Sequence, residues 1–338
     1  MEKIFQKFAF SSATLVFIIL LGIFITLFNT ARPAIEEFGL HFIVDPAWNK
    51  EVPITTPQAK TNKGATTSAM ANANVPAVNV NNYSDSDNFG NSGDYGDDSN
   101  SIMQEQAQAP TKTIYGGLVP LVGTILSTLI ALAFAMPIAM GIAIFLAEIA
   151  PKKIATFVGG AIELLAAIPS IIFGMWGLYY FAPIVADLFG GFQVSLLTAG
   201  LVLGVMILPF MAAITRDSMN TTPDILKESA YALGATKFEV IKDVIFPFSK
   251  VGIIGSIILS LGRALGETMA VAFLIGSIFE LPHKITDPTI SIPVALANNF
   301  GEASGLGMSS LFYLALILFV MSFAVISFAK FYFLRKAN

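Results

Sequence analysis

Charged side chains are missing from long stretches of this chain. Between Lys7 and Arg32 lie 24 residues without one, and from Thr113 to Ala147 there are 35. Leu164 to Ala186 gives 23, Leu188 to Thr215 gives 28, and Ala303 to Ala329 gives 27. A sixth apolar stretch, Val251 to Phe279, carries only Arg263 and Glu267. A bilayer core of ~30 Å is crossed by about 20 helical residues, so each stretch is long enough to span once. Gly116, Gly117 and Pro120, near the start of the 35-residue run, predict an interfacial elbow ahead of the second span. The expectation is an all-α integral membrane protein with six transmembrane helices.

Composition removes other classes. Only 12% of the 338 residues are charged, about half the ~25% usual for soluble domains. The mean hydropathy is +0.72. With no cysteine there are no disulfides, thiolate metal sites or cysteine nucleophiles. His41 and His283 have no partner at ligand spacing, so no metal or cofactor is expected. A net charge of −4 leaves no surplus of Lys and Arg for nucleic acid. The first apolar run, about 20 residues, exceeds the 7–15 of a signal peptide and no A-x-A site follows it. Residues 1–33 are therefore expected to be a retained transmembrane helix.

Basic residues set the expected orientation. A cytoplasmic N-terminus puts twelve of them inside, Lys152, Lys153, Arg216 and Lys227 among them, against six outside. Four of those six fall in one long external loop, residues 34–112, and a fifth, Arg32, lies just ahead of it. Its first part, 34–54, contains Phe38, Leu40, Phe42, Ile43, Val44 and Trp48, enough apolar surface to fold against the helices. Residues 55–110 are dominated by Asn, Ser, Gly and Asp and predict a disordered tether, because they cannot offset the entropy of ordering. Asp85, Asp87, Asp94, Asp97 and Asp98 lack the spacing and closing Glu of a calcium loop, so they are taken as solvated linker. Replacing residues 55–110 by a short Gly/Ser linker is expected to leave the protein's assembly and activity largely intact, and loss of either in that variant would make the tether a recognition element.

Residues 113–338 form a five-helix core with one long cytoplasmic connection, 216–250. It contains ESAYALGATKFEVIKDVIFP, from Glu228 to Pro247. Ala230, Leu233, Val240, Ile241 and Val244 supply an apolar helix face, and Gly234 divides the segment into two short helices at an angle. Such a hairpin on a membrane surface suits a soluble partner. The segment resembles the EAA loop of ABC-importer permeases, with Glu228, Ser229, Ala230, Gly234, Val244, Phe246 and Pro247 at matching spacing. In that family the loop is the coupling helix seated in a cleft of the ATPase subunit. This chain has no G-x-x-x-x-G-K-[ST] and so is not expected to be an enzyme itself.

Arg263 is the thirteenth residue of the stretch Val251 to Phe279 and Glu267 the seventeenth. Both are expected near mid-membrane, one helical turn apart on one face. Each costs ~2.5–3.5 kcal/mol there on the insertion scale. Two readings stay open: an internal pair that locks packing, or an Arg263 fork offered to a tetrahedral oxyanion with Glu267 orienting or gating it. Glu163, read as the remaining intramembrane charge, either pairs with a basic residue or joins the pathway. Pro169 is expected to kink or break the third span.

RALGETMAV, around Arg263, resembles the permease subunits of phosphate-specific ABC importers, in particular the C-type subunit. IELLAAIPSIIFGMWGL (Ile162 to Leu178), GLHFIVDPAWN (Gly39 to Asn49) and YGGLVPLVGTI are similar to the same subunits. The likeness covers nearly the whole chain except 55–110. It implies a type I ABC importer (MetI-like) permease fold in a bacterial inner membrane, multi-pass, with both termini cytoplasmic. The implied partners are a homologous A-type permease, two ATP-binding subunits, an external phosphate-binding protein, phosphate and membrane lipid. Arg263, Glu267 and Glu163 would line the pathway. A permease for sulfate or molybdate stays open, as does an ion-coupled secondary transporter, although no repeat relates the first three spans to the last three.

Overall fold

The computed structural model describes residues 2–53 and 111–335; the tether expected at 55–110 and its aspartates lie outside them. Within the described residues, six helical stretches are long and apolar enough to cross a membrane. They are Phe5–Ile43, Leu118–Ile149, Ser170–Phe189, Leu196–Asn220, Lys237–Leu265 and Gly305–Phe331.

The first helix, α1 (Glu2–Phe38), runs past residue 33 through Pro33. Thr14, Thr26 and Thr30 each donate to the carbonyl four residues back, so their hydroxyls leave no loose polar atom on an apolar helix. A 3₁₀ turn, Gly39–Ile43, then folds the external segment onto the helix ends. Phe42 is fully buried and stacks on Tyr313 at 4.6 Å, and the Tyr313 hydroxyl donates to Gly39 O. Trp48 stacks on Phe279 at 4.8 Å and meets Tyr115 edge-on. Leu40 and Val44 stay exposed, so only part of the expected apolar surface is used. A two-stranded sheet pairs Lys50–Pro53 (β1) with Thr111–Ile114 (β2).

The second span begins at Leu118, after an elbow at Gly116 and Gly117, while Pro120, expected in the elbow too, lies in the first turn of the helix. Gly117 donates there to Phe42 O. This helix, α2 (Leu118–Ile144), buries a face of small residues: Gly123, Ser127, Ala131, Ala135, Ala139 and Ala143. It ends in a wide π turn, Phe145–Ile149. The fourth span brings glycines to that face, and the two helices run parallel: Gly200 meets Ile130, and Gly204 meets Phe134 and Ala131 four residues further along each. In lipid there is no hydrophobic drive between helices, so small residues that let backbones approach supply the contact.

The third span is broken, as Pro169 predicts. An amphipathic helix, α3 (Lys152–Ala166), stops ahead of Pro169, and the apolar helix starts at Ser170. It runs through α4 (Ser170–Trp176), a π turn and α5 (Ala182–Phe189). Glu163, expected inside this span, lies instead on α3 ahead of the break, with its carboxylate 61% exposed. The fourth span, α6 (Leu196–Asn220), is followed by α7 (Asp224–Ala232).

The fifth span differs most from expectation. It starts at Lys237 rather than Val251, because Thr236 and Glu239 form a reciprocal capping box that nucleates helix there. From α8 (Lys237–Glu239) it passes through a π turn, Val240–Ile245, into α9 (Phe246–Leu265). In the π turn the Phe246 N–H reaches Ile241 O, five residues back, just before Pro247, whose ring would crowd a regular turn. The second half of the hairpin is thus fused to the span. At the other end the helix stops at Leu265, not Phe279, with Gly266 as its cap.

Residues 266–291 are mostly non-helical, with one short turn of helix, α10 (Met269–Ala272). Their first part, 266–279, is largely apolar apart from Glu267, and Leu274 and Ile275, with Ile290 further on, are packed inside protein at 0–1% exposure. Irregular backbone survives at membrane depth only when protein satisfies it. Here Leu274, Asp287 and Ile285 carbonyls accept from the N–H groups of Ser195, Leu196 and Leu197, the donors left free at the start of α6. The chain continues through α11 (Ile292–Asn299), whose Ile292 N–H donates to Thr124 Oγ1 of α2 at 2.8 Å, into α12 (Gly305–Arg335).

Candidate functional site

Two charged regions stand out. The first is the pole built by α7, the π turn ending α2 and the start of the fifth span. α7 buries none of its residues, and Gly234 follows it with φ +89°, a conformation that glycine adopts without steric cost. Glu228 and Ser229 are exposed, and the Ser229 hydroxyl bonds Ile225 O within the helix. Ala230 packs on a small core of Met219, Val240, Ile241, Ile245 and Ala143, with Val244 and Phe246 at its edge. Pro247 is exposed. Ile225, Leu233 and Phe238 present apolar side chains outward, at 71%, 90% and 72% exposure. The EAA-like residues therefore converge on one exposed elbow with a glycine hinge.

Sequence reading missed the ion pairs that frame this pole. Lys227 Nζ lies 2.6 Å from Glu148 Oε1, with both side chains largely buried. Arg216 Nη2 lies 3.0 Å from Glu163 Oε1 and 2.8 Å from Asp217 Oδ1. Its guanidinium packs against Gly159, where a Cβ would collide with it. Arg216, Glu163, Thr156, Gly160 and Asn220 border an open cleft of about 420 Å³. Glu163 thus finds the basic partner that one reading expected. Arg216 and Glu148 could have been noticed as the charges that bound two uncharged runs.

The second region is the end of α9. Arg263 sits in its last turn, half-buried, with its guanidinium carbon 5.6 Å from the centre of the Phe210 ring. Glu267 lies beyond the cap, and its carboxylate accepts from the Ala270 N–H at 3.3 Å, heading the next turn of helix. The expected one-turn pairing on a continuous helix is therefore corrected: the helix ends between the two residues. Among the described residues no ion pair joins Arg263 to Glu267. Phe210, the aromatic face under the guanidinium, carried no signal in the sequence.

Known proteins place this arrangement. Residues 139–337 match the family described as binding-protein-dependent transport system inner membrane component. The phosphate transport system permease protein PstC of Pasteurella multocida is 48% identical over 246 residues, 67% of this chain and 77% of that protein. PstC of Haemophilus influenzae is 46% identical, covering 67% and 78%. A probable PstC of Methanocaldococcus jannaschii is 35% identical, covering 68% and 78%. Two structures of the MetNI methionine ABC transporter in inward-facing conformations align with TM-scores of 0.50 and 0.51 at 19% and 18% identity. They cover 66% and 65% of this chain and 94% and 93% of theirs. Six apolar spans in this architecture make the molecule a permease of the MetI-type ABC fold, a multi-pass membrane protein. The chain belongs to the family of binding-protein-dependent transport system inner membrane components.

Proposed function

We propose that this chain is a transmembrane subunit of an ATP-driven importer that moves inorganic phosphate into the cytoplasm. The observation that carries the reading is Arg263, a half-buried cation held against Phe210 with no carboxylate bonded to it among the described residues. A planar fork with free donors suits a tetrahedral oxyanion. The names of the PstC relatives supply phosphate as the anion. Arg263 contacts the substrate, Glu267 shapes the end of the helix beside it, and Glu163 borders the inner cleft.

The remaining subunits follow from the same family membership. A homologous A-type permease completes the pathway, two ATP-binding subunits power it, one of them docking at the exposed elbow of α7, and an external phosphate-binding protein delivers the anion. Glu228, Ser229, Ala230, Gly234, Val244, Phe246 and Pro247 form the coupling surface. α2 and α6 run parallel while α6 and α9 run antiparallel, as Thr215 meeting Ser256 and Ser218 meeting Gly252 require. That alternation supports single crossings, with both termini on one side, and the excess of basic residues in the connections on that side makes it the cytoplasmic one. Reconstituting the chain with its partners tests the reading. Phosphate uptake should require ATP and resist competition by sulfate and molybdate. Uptake without the ATPase, or equal competition by sulfate, would overturn it.

Gly234 offers a separate check on the elbow. Open space surrounds the position, so the strain of its positive φ is the only cost of a side chain, about 1–2 kcal/mol. Asparagine, which tolerates this conformation, should preserve function. Gly234→Leu is expected to insert normally but to lose substrate-stimulated ATP hydrolysis. Normal stimulation in the leucine variant would remove α7 from the coupling surface.

A further inference from the structure

The Lys227–Glu148 pair has a place in the fold that the coupling motif does not account for. Lys227 immediately precedes Glu228 on α7, and Glu148 lies in the π turn that ends α2. Their 2.6 Å contact is screened from solvent, with side-chain exposures of 17% and 10%. The neighbouring Arg216–Glu163 pair differs, because its carboxylate is open to solvent. Exposed pairs are weak ties, whereas breaking a buried pair leaves a charge without compensation.

The location of the pair decides what it can transmit. α7 has no buried residue, so its grip on the molecule rests on Ala230, on the π turn of the fifth span and on Lys227. Glu148 ends a helix whose small-residue face is locked against Gly200 and Gly204 of α6. Phe210, under the Arg263 guanidinium, belongs to α6 as well. A displacement of α7 therefore has a continuous, close-packed route: Lys227 to Glu148, along α2, across to α6, to the surface beneath Arg263. The π turn around Glu148 is a wide, adjustable segment of the sort that recurs at functional sites.

We propose that Lys227 and Glu148 are positioning residues forming a strut through which motion of α7 reaches the pathway. The proposal rests on the importer reading above. With the pair intact, α7 and α2 move as one body; without it, α7 swings on its glycine hinge and leaves α2 behind.

The test uses the complete transporter with its ATPase and binding protein in liposomes, measuring phosphate uptake and ATP hydrolysis together. Glu148→Gln is nearly isosteric and keeps an acceptor for Lys227, and Lys227→Met keeps the length of the side chain. Each should raise the ATP hydrolysed per phosphate imported about tenfold, the factor expected for losing one charge-assisted contact. The exchange Lys227→Glu with Glu148→Lys restores opposite charges and should bring the ratio back to within about twofold of wild type. A purely structural pair would lower protein abundance and both rates together, leaving the ratio unchanged. That result, or a ratio that stays high in the exchanged pair, would overturn the strut. If the wild-type complex shows no ATP-dependent phosphate uptake, the importer reading itself has failed.

Discussion

Changing Arg263 to lysine should cut phosphate uptake about tenfold to a hundredfold while the protein reaches the membrane in normal amount. Lysine keeps the charge but loses the planar fork. A charged hydrogen bond is worth about 1.5–3 kcal/mol, and ~1.4 kcal/mol is a factor of ten. Arg263→Leu should abolish uptake and still fold. Removing one member of a buried ion pair costs about 3–5 kcal/mol because the partner is stranded. Among the described residues Arg263 has no such partner: the helix ends at Leu265, and Glu267 beyond it makes no ion pair with Arg263. The double change Arg263→Leu with Glu267→Leu should therefore behave like the single one, assembled and inactive. Uptake is measured with labelled phosphate in proteoliposomes, alongside membrane abundance. Wild-type transport by either leucine variant would remove Arg263 from the pathway.

Gly204→Leu should have the largest effect on stability. A Cβ at this position would lie 2.8 Å from the Phe134 ring and 3.1 Å from the Ala131 carbonyl oxygen. The ring can turn aside, but the backbone of α2 cannot, and overpacking a tight seam costs about 1–3 kcal/mol or more. The leucine variant should yield little monodisperse protein in detergent. Gly204→Ala meets the same ring and carbonyl with its Cβ but adds nothing beyond it, and should lose less. A leucine variant with wild-type yield and melting behaviour would show that the α2–α6 seam is not what holds these helices together.

The contrast between the two ends of the fifth span shows how far sequence reaches. Its start at Lys237 was written locally, since Thr236 and Glu239 are a reciprocal cap at the right spacing, yet charge counting passed over it. Its end at Leu265 was not visible in the apolar pattern. Residues 266–279 are as apolar as a membrane helix, but for a different reason: Leu274 and Ile275 are buried in protein. Hydropathy measures removal from water and does not distinguish lipid from a protein interior. The reading that paired Arg263 with Glu267 assumed continuous helix between them, and the helix ends at Leu265.

The sequence by itself determined the membrane class, the six spans, the break at Pro169 and the elbow at Gly234. Each follows from a local property: an uncharged run of spanning length, a missing N–H, a residue free to adopt positive φ. Family membership was legible too, because the EAA-like spacing and the residues around Arg263 are contiguous in the chain. Tertiary structure alone decided which charges meet. Lys227 reaches Glu148 across 79 positions and Arg216 reaches Glu163 across 53. It also decided that Arg263 rests on Phe210 instead of Glu267. Such pairings depend on how parallel and antiparallel helices register against one another. That register is set by glycines and small residues spread along α2 and α6, whose contacts no local pattern encodes.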